Sequence, residues 1–122
     1  SKTVVKKVCE KAQRRRMDGK DVLVVNASHW MSEIGARLAP DCEFAIIWYW
    51  DHEAGHTKVS LRAFHDTADV SEISKKYGGG HRKAGGFQLP PNKHIESIFD
   101  KPTKQDKPDK LKKPKRKINE SA

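Results

Sequence analysis

A glycine-rich stretch, YGGGHRKAGGF at residues 77–87, contains residue types that bind anions. Glycine has no Cβ, so other atoms can approach its backbone closely, and the N–H groups of successive glycines can point into one anion-binding concavity. His81 and Arg82 follow at once, and both can donate hydrogen bonds to phosphate oxygens. The stretch therefore predicts a phosphate-binding loop. The alternative is a helix C-cap with a flexible connector, for which one glycine usually suffices.

Known phosphate loops do not match this pattern. A Walker loop needs GK followed by Ser or Thr at the start of a helix, and a dinucleotide loop needs GxGxxG between a strand and a helix. Here the glycines follow a helical pattern and lead into a strand pattern.

A second motif, HEAGH at residues 52–56, matches the HExxH pattern of zinc peptidases. That site requires both histidines on one face of a helix, so that their ring nitrogens converge on the ion. The five residues instead stand between two strand-like stretches, and Gly55 is a typical turn residue. We therefore interpret the motif as a solvated turn, and zinc peptidase activity as the least supported alternative.

The stretch DVSEISKKYGGGHRKAGGF, preceded by KVSLRA, resembles the C-terminal DHH-associated domain of subtype one, which is marked by a GGGH signature. The similarity covers about residues 20–90. Such domains accompany the DHH phosphoesterases, which include RecJ-like exonucleases, nanoRNases and cyclic-dinucleotide phosphodiesterases, and a relative ends alanyl-tRNA synthetase. The usual signature has four glycines and Ala-Ala after the histidine, whereas this chain has three glycines and Ala84-Gly85. The shorter loop could move His81 by several ångströms.

The resemblance implies a division of labour between two domains. An N-terminal DHH domain holds two divalent metal ions, Mn or Mg, and hydrolyses the substrate, while the associated domain closes over the cleft and grips the phosphates. No DHH triplet occurs in this chain, so we expect neither a catalytic residue nor a metal ligand in it, and no hydrolysis by this chain alone. The expected substrate contacts are Arg62, Gly78, Gly79, Gly80 and His81 from the resemblance, and Arg82 from its own chemistry.

The resemblance also implies the partners. We expect a single-stranded or short oligonucleotide, or a nucleotide, as ligand, and a DHH domain in cis. The alternative is a free-standing nucleic-acid-binding or assembly module, comparable to the terminal domain of alanyl-tRNA synthetase. No apolar run approaches the roughly 18 residues that cross a membrane, so we expect no membrane partner and an intracellular, most simply cytoplasmic, protein.

Hydrophobic periodicity predicts the elements that must position these residues. An amphipathic helix is expected over residues 3–17, closed near Asp18-Gly19, and the later elements follow in order: a strand at 22–27, a helix at 29–39 ended by Pro40, a β-hairpin at 43–64, a helix at 70–77, a strand at 85–89 and a helical turn at 94–99. Such alternation predicts an α/β (α+β) fold with a mixed sheet of four or five strands covered by helices.

Three aromatic residues lie together in the predicted hairpin. Trp48 and Trp50 alternate onto the face of Phe44 and Ile46, which predicts core packing for both. Tyr49 faces the other way and is the better candidate for stacking on a base.

Charge is concentrated at the C-terminal end. Residues 101–122 hold nine of the 25 Lys and Arg residues, three prolines and almost no apolar side chains, so this segment cannot build a core. We predict a linker helix from a missing N-terminal domain at residues 1–19, a DHH-associated substrate-binding domain at 20–100, and a disordered tail at 101–122. The tail's KKPKRK, residues 112–117, resembles a nuclear import signal and would attract polyanions without sequence preference.

Overall fold

A computed structural model describes residues 2–64, 70–79 and 84–102. Within these ranges three helices and five strands follow one another as α1 (Lys2–Glu10), β1 (Gln13–Met17), β2 (Lys20–Asn26), α2 (Met31–Leu38), β3 (Phe44–Asp51), β4 (His56–Arg62), α3 (Val70–Lys76) and β5 (Ala84–Leu89). Short 3₁₀ turns occupy Ala39–Asp41 and Ile95–Ile98.

The strands form a mixed sheet in the order β1-β2-β3-β4-β5. β2 and β3 are parallel and joined through α2, whereas the other neighbouring pairs are antiparallel. A parallel pair needs such a crossover, and antiparallel pairs can be joined by tight turns. The predicted fold class, a mixed sheet of four or five strands covered by helices, is confirmed.

Each face of the sheet carries its own core. On one face α3 and the Ile95–Ile98 turn pack over a cluster that includes Phe44, Ile46, Leu61 and Phe87. On the other face α1 and α2 pack over a smaller cluster that includes Val25, Ile34, Ala45 and Ile47. The alternation of β3 is what supplies both cores, since its even residues face α3 and its odd residues face α2.

The helix predicted over residues 3–17 is wrong in its second half. α1 ends at Glu10, and Gln13–Met17 form β1, which pairs with β2. The cause is the Asp18-Gly19 pair, with φ of 52° and 77°, which forms a two-residue hairpin turn. The three arginines before this turn therefore lie on an edge strand. The domain boundary predicted at residue 19 falls inside this hairpin, and the division into domains stays a prediction.

The last described segment, residues 94–102, is hydrogen-bonded to the same hairpin. The Asp100 carboxylate accepts hydrogen bonds from the backbone N–H groups of Asp18 (3.0 Å) and Gly19 (2.8 Å). Nearby, the Arg15 guanidinium donates to both carboxylate oxygens of Glu96, at 2.6 and 3.0 Å. These contacts join residues some eighty positions apart, so the C-terminal segment and the β1-β2 turn form one structural unit.

Among the helices in these described ranges, none is long and apolar enough to cross a membrane. Of the predicted disordered tail, only the first two residues belong to the described part of the chain. Residues 103–122, including the basic run 112–117, lie outside it, and the prediction made for them is untested.

Candidate functional site

Within the described ranges, helices cover only half of one face of the sheet. α1 and α2 pack over β2 and β3, and the face of β4 and β5 beyond them carries Lys58, Ser60, Arg62, Gly86 and Gln88. These five residues, which we call the open face, lie on the α2 side because Ser60 pairs in register with Ile47, a member of the α2 core. Gly86 and Gln88 are exposed, and the other three residues are half-buried.

Arg62 lies where the open face meets α2. Its guanidinium donates to the Ser32 hydroxyl at 2.6 Å, and its aliphatic stem lies against Gly35 one helical turn further on. Among the described residues, this hydroxyl is its hydrogen-bond acceptor and no carboxylate pairs with it. The open face therefore has at this end a positive charge that the described acidic residues do not neutralise.

Gly78 and Gly79 end α3. The N–H of Gly78 donates to the carbonyl of Lys75 at 3.1 Å, that of Gly79 donates to the carbonyl of Ser74 at 2.7 Å, and Gly78 has a φ of 95°. This is the geometry of the helix C-cap alternative, since both amides donate to carbonyl groups of α3. The remaining predicted loop residues, Gly80, His81 and Arg82, lie outside the described residues.

The glycine stretch nevertheless contacts β5. A Cβ added to Gly79 would stand 1.7 Å from the carbonyl oxygen of Gly86, so the two backbones touch in a way that only glycine allows. Beyond the undescribed residues 80–83 the chain resumes at Ala84, the register partner of Arg62. Both described ends of the predicted phosphate loop therefore lie at β5, with Ala84 opposite Arg62 and Gly79 against Gly86, beside Phe87 of the α3 core.

A cavity of about 500 Å³ lies at the β5 end of the sheet, where residues of the open face meet Val59, Tyr77 and Phe87 of the α3 core. It is lined by Lys58, Val59, Ser60, Tyr77, Gly78, Gly86, Phe87 and Gln88. Its size falls within the range of small-molecule sites. Sequence reasoning missed Lys58, Ser60 and Gln88, although the period of two along β4, extended back from Arg62, would have found the first two.

The far end of the open face carries a neutralised charge. The Lys58 ammonium lies 3.2 Å from an Asp51 carboxylate oxygen, and the other oxygen accepts a hydrogen bond from the Ala54 N–H at 3.1 Å. The hydrogen bond to Asp51 raises the pKa of Lys58, and the Ala54 N–H together with Lys58 lowers the pKa of Asp51. Both groups are thus charged at neutral pH and pair with each other.

The HEAGH motif is not on a helix. Residues 52–55 form the turn between β3 and β4, and His56 begins β4. In the part of the chain that is described, no group of three His, Cys, Asp or Glu residues could hold a metal ion. The Nε2 atom of His56 is buried and, among the described residues, has no hydrogen-bond partner. The helical geometry that a zinc peptidase requires is absent from this motif.

The three hairpin aromatics divide between the faces. Trp48 is half-buried against the α3 core, as predicted, but Trp50 is 49% exposed, so its predicted core packing is wrong. Trp50 stands one residue from the end of β3, beyond the residues that contribute to that core. Tyr49 lies on the opposite face, in register with Lys58.

No family model matches the chain. Among curated proteins it is 43% identical over 70 residues to the oligoribonuclease NrnB of Bacillus subtilis, a match that covers 54% of this chain and 16% of that protein. The chain thus spans about a sixth of the length of this relative. The match supports the relationship to DHH-family proteins that the glycine-rich stretch indicates.

Two solved structures share the fold. One is a pGpG-specific phosphodiesterase, PggH, from Vibrio cholerae, with a TM-score of 0.54 and 18% identity over 78% of this chain and 34% of that one. The other is an uncharacterized protein from Helicobacter pylori, with a TM-score of 0.57 and 24% identity over 80% of this chain and 30% of that one. At these identities the likeness shows the fold alone.

Proposed function

We propose that this chain is the substrate-recognition part of a DHH-type phosphodiesterase and that its open face binds the phosphates of a short oligonucleotide. The observation that carries the proposal is Arg62, a guanidinium that no described carboxylate neutralises, on the strand that pairs with the continuation of the glycine stretch at Ala84. A guanidinium binds a phosphate through two parallel N–H···O bonds, which fix both its position and its orientation.

The contacts around Arg62 support a positioning role. The Ser32 hydroxyl and the bare Gly35 surface hold the side chain in place before a ligand arrives, so less conformational entropy is lost when a phosphate binds. Gly80, His81 and Arg82 would add donors from the adjoining segment. Positioning and charge neutralisation of this kind lower the barrier for displacement at phosphorus.

The hydrolysis itself belongs to a second domain in this proposal. Two divalent metal ions, Mn or Mg, would be held by Asp and His residues of a DHH domain in the same protein. The match to a curated relative favours short RNA as the substrate class, because that relative is an oligoribonuclease.

The rival function is a free-standing nucleic-acid-binding module that attracts polyanions through charge. The nine Lys and Arg residues after residue 100 favour it, since such a segment binds phosphates without fixed geometry. The two functions differ in where the affinity resides and in how steeply it falls with salt.

Fluorescence anisotropy of a labelled 5′-phosphorylated diribonucleotide tests the proposal. Three variants of the full chain are compared at low and physiological salt: Arg62→Ala, Arg62→Lys as the charge-preserving control, and a variant with the basic residues of 112–117 replaced by Gln. We expect Arg62→Ala to weaken binding about tenfold or more, Arg62→Lys to recover only part of it, and the tail variant to change mainly the salt dependence. Loss of binding in the tail variant, with Arg62→Ala unchanged, would overturn the proposal in favour of its rival.

A further inference from the structure

The geometry points to a nucleobase subsite on the open face, formed by the ring of Tyr49 and the side-chain amide of Gln88. This inference rests on the proposed function and adds to it that the chain recognises a base as well as phosphates. Tyr49, Lys58 and Gln88 lie side by side on β3, β4 and β5, because Tyr49 pairs with Lys58 and Lys58 pairs with Gln88. We call these three residues the Tyr49 row.

The Tyr49 row lies within reach of a ligand held at Arg62. Lys58 and Arg62 are four residues apart on one strand, which separates their Cα atoms by about 14 Å. The Arg62 side chain spans part of this distance, since it runs along α2 from Gly35 to Ser32, toward the end of β3 that carries Tyr49. Among the described residues of β4 and β5 on this face, the Ser60-Gly86 pair stands between them, and it presents one small hydroxyl side chain and a glycine.

Charge distinguishes the two ends of the open face. Arg62 has no carboxylate partner among the described residues and suits an anion, whereas Asp51 already neutralises Lys58 at 3.2 Å. The Tyr49 row is therefore polar and aromatic with little net charge, and this environment suits a neutral base better than a second phosphate. An aromatic ring offers its face for stacking, and the Gln88 amide offers one acceptor and two donors for a base edge.

The alternation of β3 gives the subsite a single aromatic side chain. Tyr49 alone of the three consecutive aromatics faces α2 and the open face, while Trp48 and Trp50 face the opposite side. Trp50 is one residue away and 49% exposed, more than the half-buried Tyr49, so it is a control: an accessible aromatic on the opposite face.

The test compares two ligands with the same phosphates. Isothermal titration of the full chain measures the dissociation constant for the 5′-phosphorylated diadenylate pApA and for its abasic counterpart, which lacks both bases. Stacking predicts that wild type prefers pApA by about fivefold or more. Tyr49→Ala and Tyr49→Leu should remove most of this preference, Gln88→Ala should reduce it, and Tyr49→Phe and Trp50→Ala should keep it. Tyr49→Leu preserves apolar volume, so it keeps the test valid if the alanine variant does not fold.

The outcomes separate this inference from the proposed function. If Arg62→Ala weakens both ligands while the Tyr49 variants keep the wild-type preference, the phosphate site stands and the base subsite is wrong. If Trp50→Ala lowers the preference as much as Tyr49→Ala, the base subsite is also wrong. If wild type binds neither ligand, both proposals fall together.

Discussion

The side chain of Arg62 lies so close to Gly35 of α2 that a Cβ added to this glycine would stand 2.5 Å from Arg62 Cγ and 3.0 Å from Arg62 Cβ. A glycine inside a short helix weakens that helix by about 1 kcal/mol relative to alanine. Its bare surface is what lets the arginine stem run along α2 toward Ser32. The helix thus loses some intrinsic stability at the position that fixes the guanidinium.

Gly35→Ala should therefore weaken oligonucleotide binding several-fold without removing any charge, because the new methyl group displaces Arg62 from its path. The clash involves Cβ and Cγ, the near end of the arginine side chain, so the gain in helix propensity of about 1 kcal/mol offsets only part of the strain and urea unfolding should show a net loss of stability. Anisotropy with the labelled diribonucleotide measures the first effect. Affinity equal to that of wild type would show that the position of Arg62 does not matter for binding.

Gly79→Ala should destabilise the fold by roughly 2 kcal/mol or more, because the added methyl group would overlap the backbone carbonyl of Gly86, which cannot rotate away. Gly55→Ala is the matched control. Gly55, unlike Gly79, has a positive φ of 74°, but a Cβ added there meets nothing within 4 Å, so this substitution should cost only about 1 kcal/mol. Urea unfolding of both variants measures the difference, and equal losses would contradict the close approach of Gly79 to Gly86.

The pair of Arg15 and Glu96 should make stability depend on pH in the acid range. Hydrogen bonds from Arg15 lower the pKa of Glu96 below its ordinary 4.5. A lowered folded-state pKa contributes stability above the unfolded-state value and loses it as the pH falls through the folded-state value. Since Glu96 is 56% exposed, solvent screening limits the contribution to about 1 kcal/mol or less. Unfolding of wild type and Glu96→Gln should differ at pH 7 and converge near pH 3, whereas a constant difference would contradict this.

The two cysteines should react at different rates. Burial raises the pKa of Cys42 to about 11, so its reactive thiolate is scarce at pH 8, and the side chain is buried beneath α2. Cys9, on α1, is only half-buried, and burial raises its pKa to a lesser degree. Iodoacetamide followed by mass spectrometry should modify Cys9 first and Cys42 only after urea unfolding. Rapid modification of Cys42 in the folded protein would contradict its position in the core.

Much of the fold could be predicted because the alternation of apolar residues and the positions of the turn residues indicate the same strand boundaries. The β3-β4 hairpin was expected within residues 43–64 and occupies Phe44–Arg62, since apolar residues alternate on both sides of a polar turn. β1 was missed because its sequence, QRRRM, has no apolar alternation. The Asp18-Gly19 pair is the signal that distinguishes a strand from a helix here, because it is typical of a two-residue hairpin. The helical periodicity of the preceding residues instead predicts that a helix ends at this pair.

The candidate site could be predicted only in part. Arg62 came from the family resemblance, whereas Lys58, Ser60 and Gln88 depend on strand register, which one sequence does not reveal. The close contact of Gly79 with Gly86 joins the end of α3 to β5, so a local sequence pattern cannot predict it. Tyr49 was identified because the alternation of β3 already separated it from the two tryptophans beside it.

Binding of phosphates to the open face through Arg62 is tested most directly by an NMR titration of the ¹⁵N-labelled full chain with a 5′-phosphorylated diribonucleotide. We expect saturable shifts at the amides of Ser60, Arg62, Ala84 and Gly86, and none of comparable size at the arginines of β1. Shifts confined to β1 and residues 103–122, with the open face unchanged, would contradict the claim.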